Sequence, residues 1–202
     1  AMAMSLRNAL ENNYKNSGEL RSLVLDDCSF EGKGAQLVAL GMNKSGLTSV
    51  SIQRSGLCCD FAKILAKGLG AVDELKALSS LNLSGNAISD AGAKALGDAI
   101  DKNQILSVLN LVNNKIGDPG AVAIAVALSA NNKLQSLYFK GNPIGETGTA
   151  AFTRTAQLNS CLRNLSYADN SLNRQHMSVM HLLHQYGFAQ STRNSMTEEK
   201  KL

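Results

Sequence analysis

The stretch Leu78-Ser79-Ser80-Leu81-Asn82-Leu83-Ser84-Gly85-Asn86-Ala87-Ile88, with Gly92 four residues later, carries the pattern on which the rest of the chain is built. The same frame returns at Leu106, Leu109, Leu111, Asn114, Ile116 and Gly120, then at Leu134, Leu137, Phe139, Asn142, Ile144 and Gly148. A fourth copy starts at Leu162 and continues through Leu165, Tyr167, Asn170 and Leu172. The four starts are 28 residues apart, with no slippage. A fixed period of this length marks stacked supersecondary units, none of which can bury its apolar face alone.

Each frame position has a physical reason. Leu-x-Leu alternation puts two apolar side chains on one face of a short strand and the residue between them on the other. The Asn turns the chain out of the strand, and its amide can both donate and accept, so stacked Asn side chains can satisfy loop backbone that would otherwise be buried unpaired. The Ile or Leu two residues on re-enters the core, and the Gly permits close backbone approach as a helix begins. Leu96 with Ile100, Ile124 with Leu128, and Phe152 with Ala156 then give the i, i+4 inner stripe of a short helix. The unit is strand, turn, helix, turn.

Working outward, two degenerate copies precede the regular ones. Leu20, Leu23, Leu25, Cys28, Phe30 and Gly34 keep the frame with Cys at the Asn position. Leu47, Val50, Ile52, Ser55 and Leu57 keep it with Ser there, Phe61 replacing the Gly and Leu65 and Leu69 forming the helix stripe. This second copy has 31 residues, and its extra length is placed in Gly70–Lys76. Ala1-Met2-Ala3 reads as a cloning remnant ahead of Met4. Leu6, Leu10 and Tyr14 form a helix stripe, so 1–19 is expected to be an N-terminal helical cap or half repeat. The solenoid is expected over 20–188 as six repeats, the last serving as a cap, and 189–202 as a disordered tail.

Composition narrows the function. The 202 residues carry a formal charge of +4 with dispersed Lys and Arg and no basic run with interleaved aromatics, so nucleic acid is not an expected partner. No apolar run approaches a membrane span. There is no phosphate loop, nucleotide fingerprint or nucleophile motif, so no enzyme and no cofactor are expected. His176, His181 and His184 lie close together with no Cys or carboxylate among them, so no metal site is expected. Four Cys without C-x-x-C spacing point to reduced thiols in the cytoplasm.

What remains is the outward side of the strands. Its central row is Val24, Ser51, Asn82, Asn110, Tyr138 and Ser166, and two residues further on stand Asp26, Gln53, Ser84, Val112, Lys140 and Ala168. Small polar residues dominate, and Tyr138 is the one aromatic. Tyr and Arg are enriched at binding hot spots. The candidate partner-binding residues are therefore Arg54, Asn82, Asn110, Val112, Asn113, Tyr138 and Lys140, with Val112 expected to be an exposed aliphatic.

The frame L-x-L-x-x-N-x-I/L followed by G-x-x-x-L/I resembles the ribonuclease-inhibitor-like class of leucine-rich repeats. That class includes ribonuclease inhibitor, the Ran GTPase-activating protein, the repeat domains of NOD-like receptors and the CARMIL proteins. The resemblance covers about residues 20 to 188. It implies an α/β fold, a right-handed leucine-rich repeat solenoid with a parallel concave sheet and convex helices. It implies a cytosolic protein that binds another protein through the concave face. The Ran activator offers an alternative, regulation of a small GTPase, although 189–202 lacks the acidic region that follows its repeats. Bacterial effectors acting in host cells offer another, through polar C-terminal tails with Glu pairs such as Glu198-Glu199.

Overall fold

Each Leu-x-Leu segment folds as a three-residue strand: β1 (Ser22–Val24), β2 (Ser49–Ser51), β3 (Ser80–Asn82), β4 (Val108–Asn110), β5 (Ser136–Tyr138) and β6 (Asn164–Ser166). Helices follow the strands and one precedes them: α1 (Met2–Lys15), α2 (Lys33–Asn43), α3 (Cys59–Gly70), α4 (Asp90–Ile100), α5 (Asp118–Ala130) and α6 (Glu146–Leu158). The structure is a computed structural model that describes residues 2–15, 20–30, 32–43, 45–71, 75 and 77–166. The strands form one six-stranded sheet in sequence order, every neighbouring pair parallel. The register aligns Leu23, Val50, Leu81, Leu109, Leu137 and Leu165 in a single column.

Neighbouring strands lie about 4.8 Å apart, whereas packed helices need about 8–10 Å between axes. With one strand and one helix per repeat, the helix row must be the longer arc. The sheet therefore lines the inside of the curve and the helices the outside, as the resemblance implied. The frame residues fill the space between. Leu78, Leu81, Leu83, Ile88, Leu109, Leu111, Ile116, Leu134, Leu137 and Phe139 are all 0% exposed. Phe139 and Phe152 meet edge to face at 5.6 Å.

The Asn positions form a continuous ladder. Asn114 Nδ2 donates to the Leu83 carbonyl of the preceding repeat at 3.0 Å and to Leu111 of its own at 3.1 Å, while its Oδ1 accepts the Ile88 N–H at 3.1 Å. Asn142 repeats this with Leu111, Phe139 and the Ile116 N–H, and Asn86 with Ile52, Leu83 and the N–H groups of Ser55 and Leu57. Ser55 carries the ladder into the second repeat by donating to the Leu25 carbonyl and accepting the Cys28 N–H. The Cys28 thiol donates to the nearby Asp26 carbonyl.

Two further ladders escaped the sequence reading. Asn103, Asn131 and Asn159 recur after the helices. Asn131 Nδ2 donates to the Ile100 and Asn103 carbonyls, and its Oδ1 accepts from Lys133 and Leu134. At the other end of the helices, Asp90 Oδ1 accepts the N–H groups of Gly117 and Gly120, and Asp118 Oδ1 those of Gly145 and Gly148. This explains the frame Gly: a Cβ at Gly120 would stand 2.5 Å from Ile116 and 2.7 Å from that Asp90 oxygen.

Leu20, read as a core residue, is 43% exposed, and Leu23 and Leu25 are only half-buried. β1 is the edge of the sheet, so no described strand covers its far side. Phe61, which replaces the Gly, is 0% exposed and packs into the core at the start of α3. The extra length of the second repeat falls after α3, where Leu75 turns inward at φ +45°, is 2% exposed and donates its N–H to Asn43. Tyr167 and everything beyond it, including the three His and the predicted cap and tail, lie outside the described residues.

Asn114 is 6% exposed and no apolar residue can replace its bonds, so Asn114→Leu should leave the Ile88 N–H unpaired, remove one of the two hydrogen bonds that the Leu83 carbonyl accepts, and lower stability by about 1–3 kcal/mol in urea denaturation. An unchanged midpoint would show that the ladder contributes nothing to stability.

Candidate protein-binding face

The predicted central row exists in the structure. Val24 pairs with Ser51, Ser51 with Asn82, Asn82 with Asn110, Asn110 with Tyr138, and Tyr138 with Ser166, so these residues cross the concave sheet in one line. Asn82, Asn110 and Tyr138 are half-buried. The Asn82 and Asn110 carboxamide oxygens accept the N–H groups of Ser84 and Val112, two residues on in each case. Each side chain thereby closes a local turn, and its Nδ2 donors have no partner among the described residues.

The row that follows the strands is a turn with an unusual backbone. Asp27, Arg54, Gly85, Asn113 and Gly141 have φ of +56°, +50°, +70°, +53° and +74°. The N–H groups of the first four continue the sheet ladder, donating to the carbonyls of Gln53, Ser84, Val112 and Lys140. Gly, Asn and Asp tolerate this left-handed region, and Arg does not. Arg54 is held there by a fork to Asp27, Nε to Oδ1 and Nη2 to Oδ2, both at 2.7 Å. This hydrogen bond keeps the Asp27 carboxyl below its ordinary range and raises the Arg54 guanidinium above its own. Arg54, one of the candidate partner-binding residues, is thus one half of an exposed ion pair.

Beside that pair lies a polar network that the sequence reading did not single out. Asp26 accepts from the Ser51 hydroxyl, the Gln53 N–H and the Gln53 side chain, and Ser84 Oγ donates to Gln53 Oε1. Burial pushes the Asp26 carboxyl up, but these hydrogen bonds and the nearby Arg54 charge outweigh it and hold the group below 3.8. Its contribution to stability is present above that value and is lost as pH falls toward the lowered one.

The concave face therefore has two halves. Repeats one to three present Asp26, Asp27, Gln53, Arg54 and Ser84, joined to one another. Repeats four and five present Asn110, Val112, Asn113, Tyr138 and Lys140, of which Asn113 and Lys140 are exposed. Val112, expected to be exposed, is half-buried: it stands in mid-row between the neighbouring strand ends that carry Ser84 and Lys140. Asn82 adjoins the second half through its register with Asn110, whereas Arg54 belongs to the first. Among the described residues no group of three or more His, Cys, Asp or Glu side chains could hold a metal ion. No described helix is long and apolar enough to cross a membrane.

The family pattern described as "Leucine Rich repeat" matches residues 76–97 and 102–125, the third and fourth repeats. This chain folds as a leucine-rich repeat solenoid. Its solenoid is of the ribonuclease-inhibitor-like type, and solved structures share it. The leiomodin-1 actin-binding site 2 aligns with a TM-score of 0.64 at 18% identity, covering 98% of this chain and 95% of that one. The C-terminal domain of tropomodulin from Caenorhabditis elegans aligns with a TM-score of 0.61 at 13% identity, covering 96% and 98%. No curated protein sequence matches significantly.

In this leucine-rich repeat array the left-handed turn row is testable at Arg54. Arg54→Gly relieves the backbone and Arg54→Ala does not, and both remove the ion pair. The Gly variant should melt above the Ala variant in a thermal scan. The reverse order would contradict the left-handed turn.

Proposed function

We propose that this leucine-rich repeat protein binds a protein partner on its concave face, centred on repeats four and five. The supporting observation is the Asn110–Tyr138–Ser166 row, where one accessible aromatic stands among small polar residues on a rigid sheet. Val112, Asn113 and Lys140 border it with an aliphatic side chain, an amide and a cation, and Asn82 extends it toward the N-terminal end. Arg54, with its Asp27 partner, supplies a second and more distant charged contact. A two-torsion aromatic held on a strand contributes contact area at small entropic cost, which is why Tyr recurs at hot spots.

The side chains along this face suit recognition rather than chemistry. Its carboxylates are committed to hydrogen bonds and an ion pair, and the described part of the face holds no His. A soluble protein partner met inside the cell fits these features. Monomeric actin is the first partner to test, because the leiomodin-1 structure of similar fold is an actin-binding site.

Titration calorimetry with monomeric actin, or with a partner purified from lysate should actin not bind, can compare wild type with Tyr138→Ala and Lys140→Glu. Tyr138→Ala should weaken binding by about 2 kcal/mol, roughly 30-fold, with the melting temperature nearly unchanged. Equal affinity for both variants would place the interface away from this face.

A further inference from the structure

The outer surface of the helix row carries a feature that the concave face does not explain. At equivalent places on the outward side, α3 has Lys63 and Lys67, α4 has Lys94 and Asp98, and α6 has Ala150 and Arg154. α5 has Val122 and Val126 there, and after Asp118 it contains no charged residue at all. Its inner face is already occupied by Ile124 and Leu128 in the core. A helix that is apolar all round belongs in an interior, yet Val126 is 64% exposed, as is Leu158 on α6.

Between α5 and α6 runs a groove of about 530 Å³, walled by Val122 and Val126 on one side and by Ala150, Ala151, Arg154 and Leu158 on the other. The corresponding groove between α3 and α4, of about 420 Å³, shows what the same architecture looks like when it faces water: its rim is Lys63, Lys67, Asp98 and Lys102. The α5–α6 groove has one charged lining residue, Arg154, and it has no ion-pair partner among the described residues. Both walls are helices, whose backbone donors and acceptors are satisfied internally, so an extended strand would find no main-chain partners there. A helix brings its own hydrogen bonds and needs only an apolar stripe. Each wall is 13 residues long, about 20 Å, which matches three to four turns of an incoming helix.

We propose that the α5–α6 groove is a second, convex-face docking site for one amphipathic helix of a partner protein. That helix would bear an apolar i, i+4, i+7, i+11 stripe flanked by an acidic residue that pairs with Arg154. A second copy of this chain fits less well. Two-fold pairing through the groove would put two Arg154 guanidinium groups on one interface, with no acidic lining residue to answer them.

The test uses a displayed library of 18-residue helical peptides with a randomised apolar stripe and a flanking position open to Asp, Glu, Lys, Arg or Ser. Selection on the wild-type protein should enrich Asp or Glu at the flank. The selected peptide should bind at least ten-fold more weakly to Val126→Asp, and Arg154→Glu should turn the preference toward Lys or Arg. Tyr138→Ala, on the opposite face, should bind the peptide like wild type. Val126 is exposed, so Val126→Asp should keep the wild-type melting temperature, and Val126→Lys provides a second variant should it not. Failure to enrich any binder, or binding indifferent to both Val126 variants, would overturn the proposal. Val126-dependent self-association in sedimentation velocity would overturn it in favour of a second copy.

Discussion

Each buried carboxamide at the end of a strand ties together three pieces of backbone from two repeats, and the register of the whole array rests on it. Asn114 joins the Leu83 carbonyl, the Leu111 carbonyl and the Ile88 N–H, and Asn86 and Asn142 do the same one repeat away on either side. A hydroxyl has one proton where a carboxamide has two, so Ser55 faces the Leu25 and Gln53 carbonyls and the Cys28 N–H with a single donor, and the Cys28 thiol turns to the local Asp26 carbonyl, which leaves a thinner ladder in the first two repeats. With the turns fixed, strands stay in register, helices follow on the outer arc, and the Leu column closes between them. The Asp90 and Asp118 carboxylates secure the helix starts, and the Asn103, Asn131 and Asn159 amides secure the loops after the helices.

The fold was legible because its cause is periodic: a core residue every few positions, at a fixed 28-residue spacing, can be read without knowing any contact. Asn103, Asn131 and Asn159, and likewise Asp90 and Asp118, sat at that same spacing and could have been found by the same test. Polar residues at helix ends look like ordinary surface, which hides this second repeat pattern. Asp27, Gly85, Asn113 and Gly141 are residue types that suit the left-handed turn, but Arg54 is not, so the row does not stand out in the sequence as one recurring turn. The exposure of Leu20 depends on what lies beyond β1, which periodicity does not address.

The candidate face was legible as a row of residues and illegible as a network. Alternation along a strand says which side chains point outward, so Asn82, Asn110 and Tyr138 fell where expected. Whether neighbours such as Asp27 and Arg54 join or stay apart depends on distances of a few tenths of an ångström, which no pattern encodes. The half-burial of Val112 has the same origin. The outer face of α5 was visible in the sequence as a run of Ala, Val, Ile and Leu, but a run of that kind reads as core until the layers are assembled.

The ladder's role can be tested most directly by native-state hydrogen exchange at the loop amides it binds. Ser55, Leu57, Ile88 and Ile116 lie outside strands and helices, yet each donates to an Asn Oδ1. If the carboxamides hold the array together, these amides should exchange only through global unfolding, as slowly as the strand-end amides of Leu83 and Leu111. Exchange at the rate of exposed loop amides, with the Leu83 and Leu111 amides still protected, would contradict the account and leave apolar packing alone as the determinant of the fold.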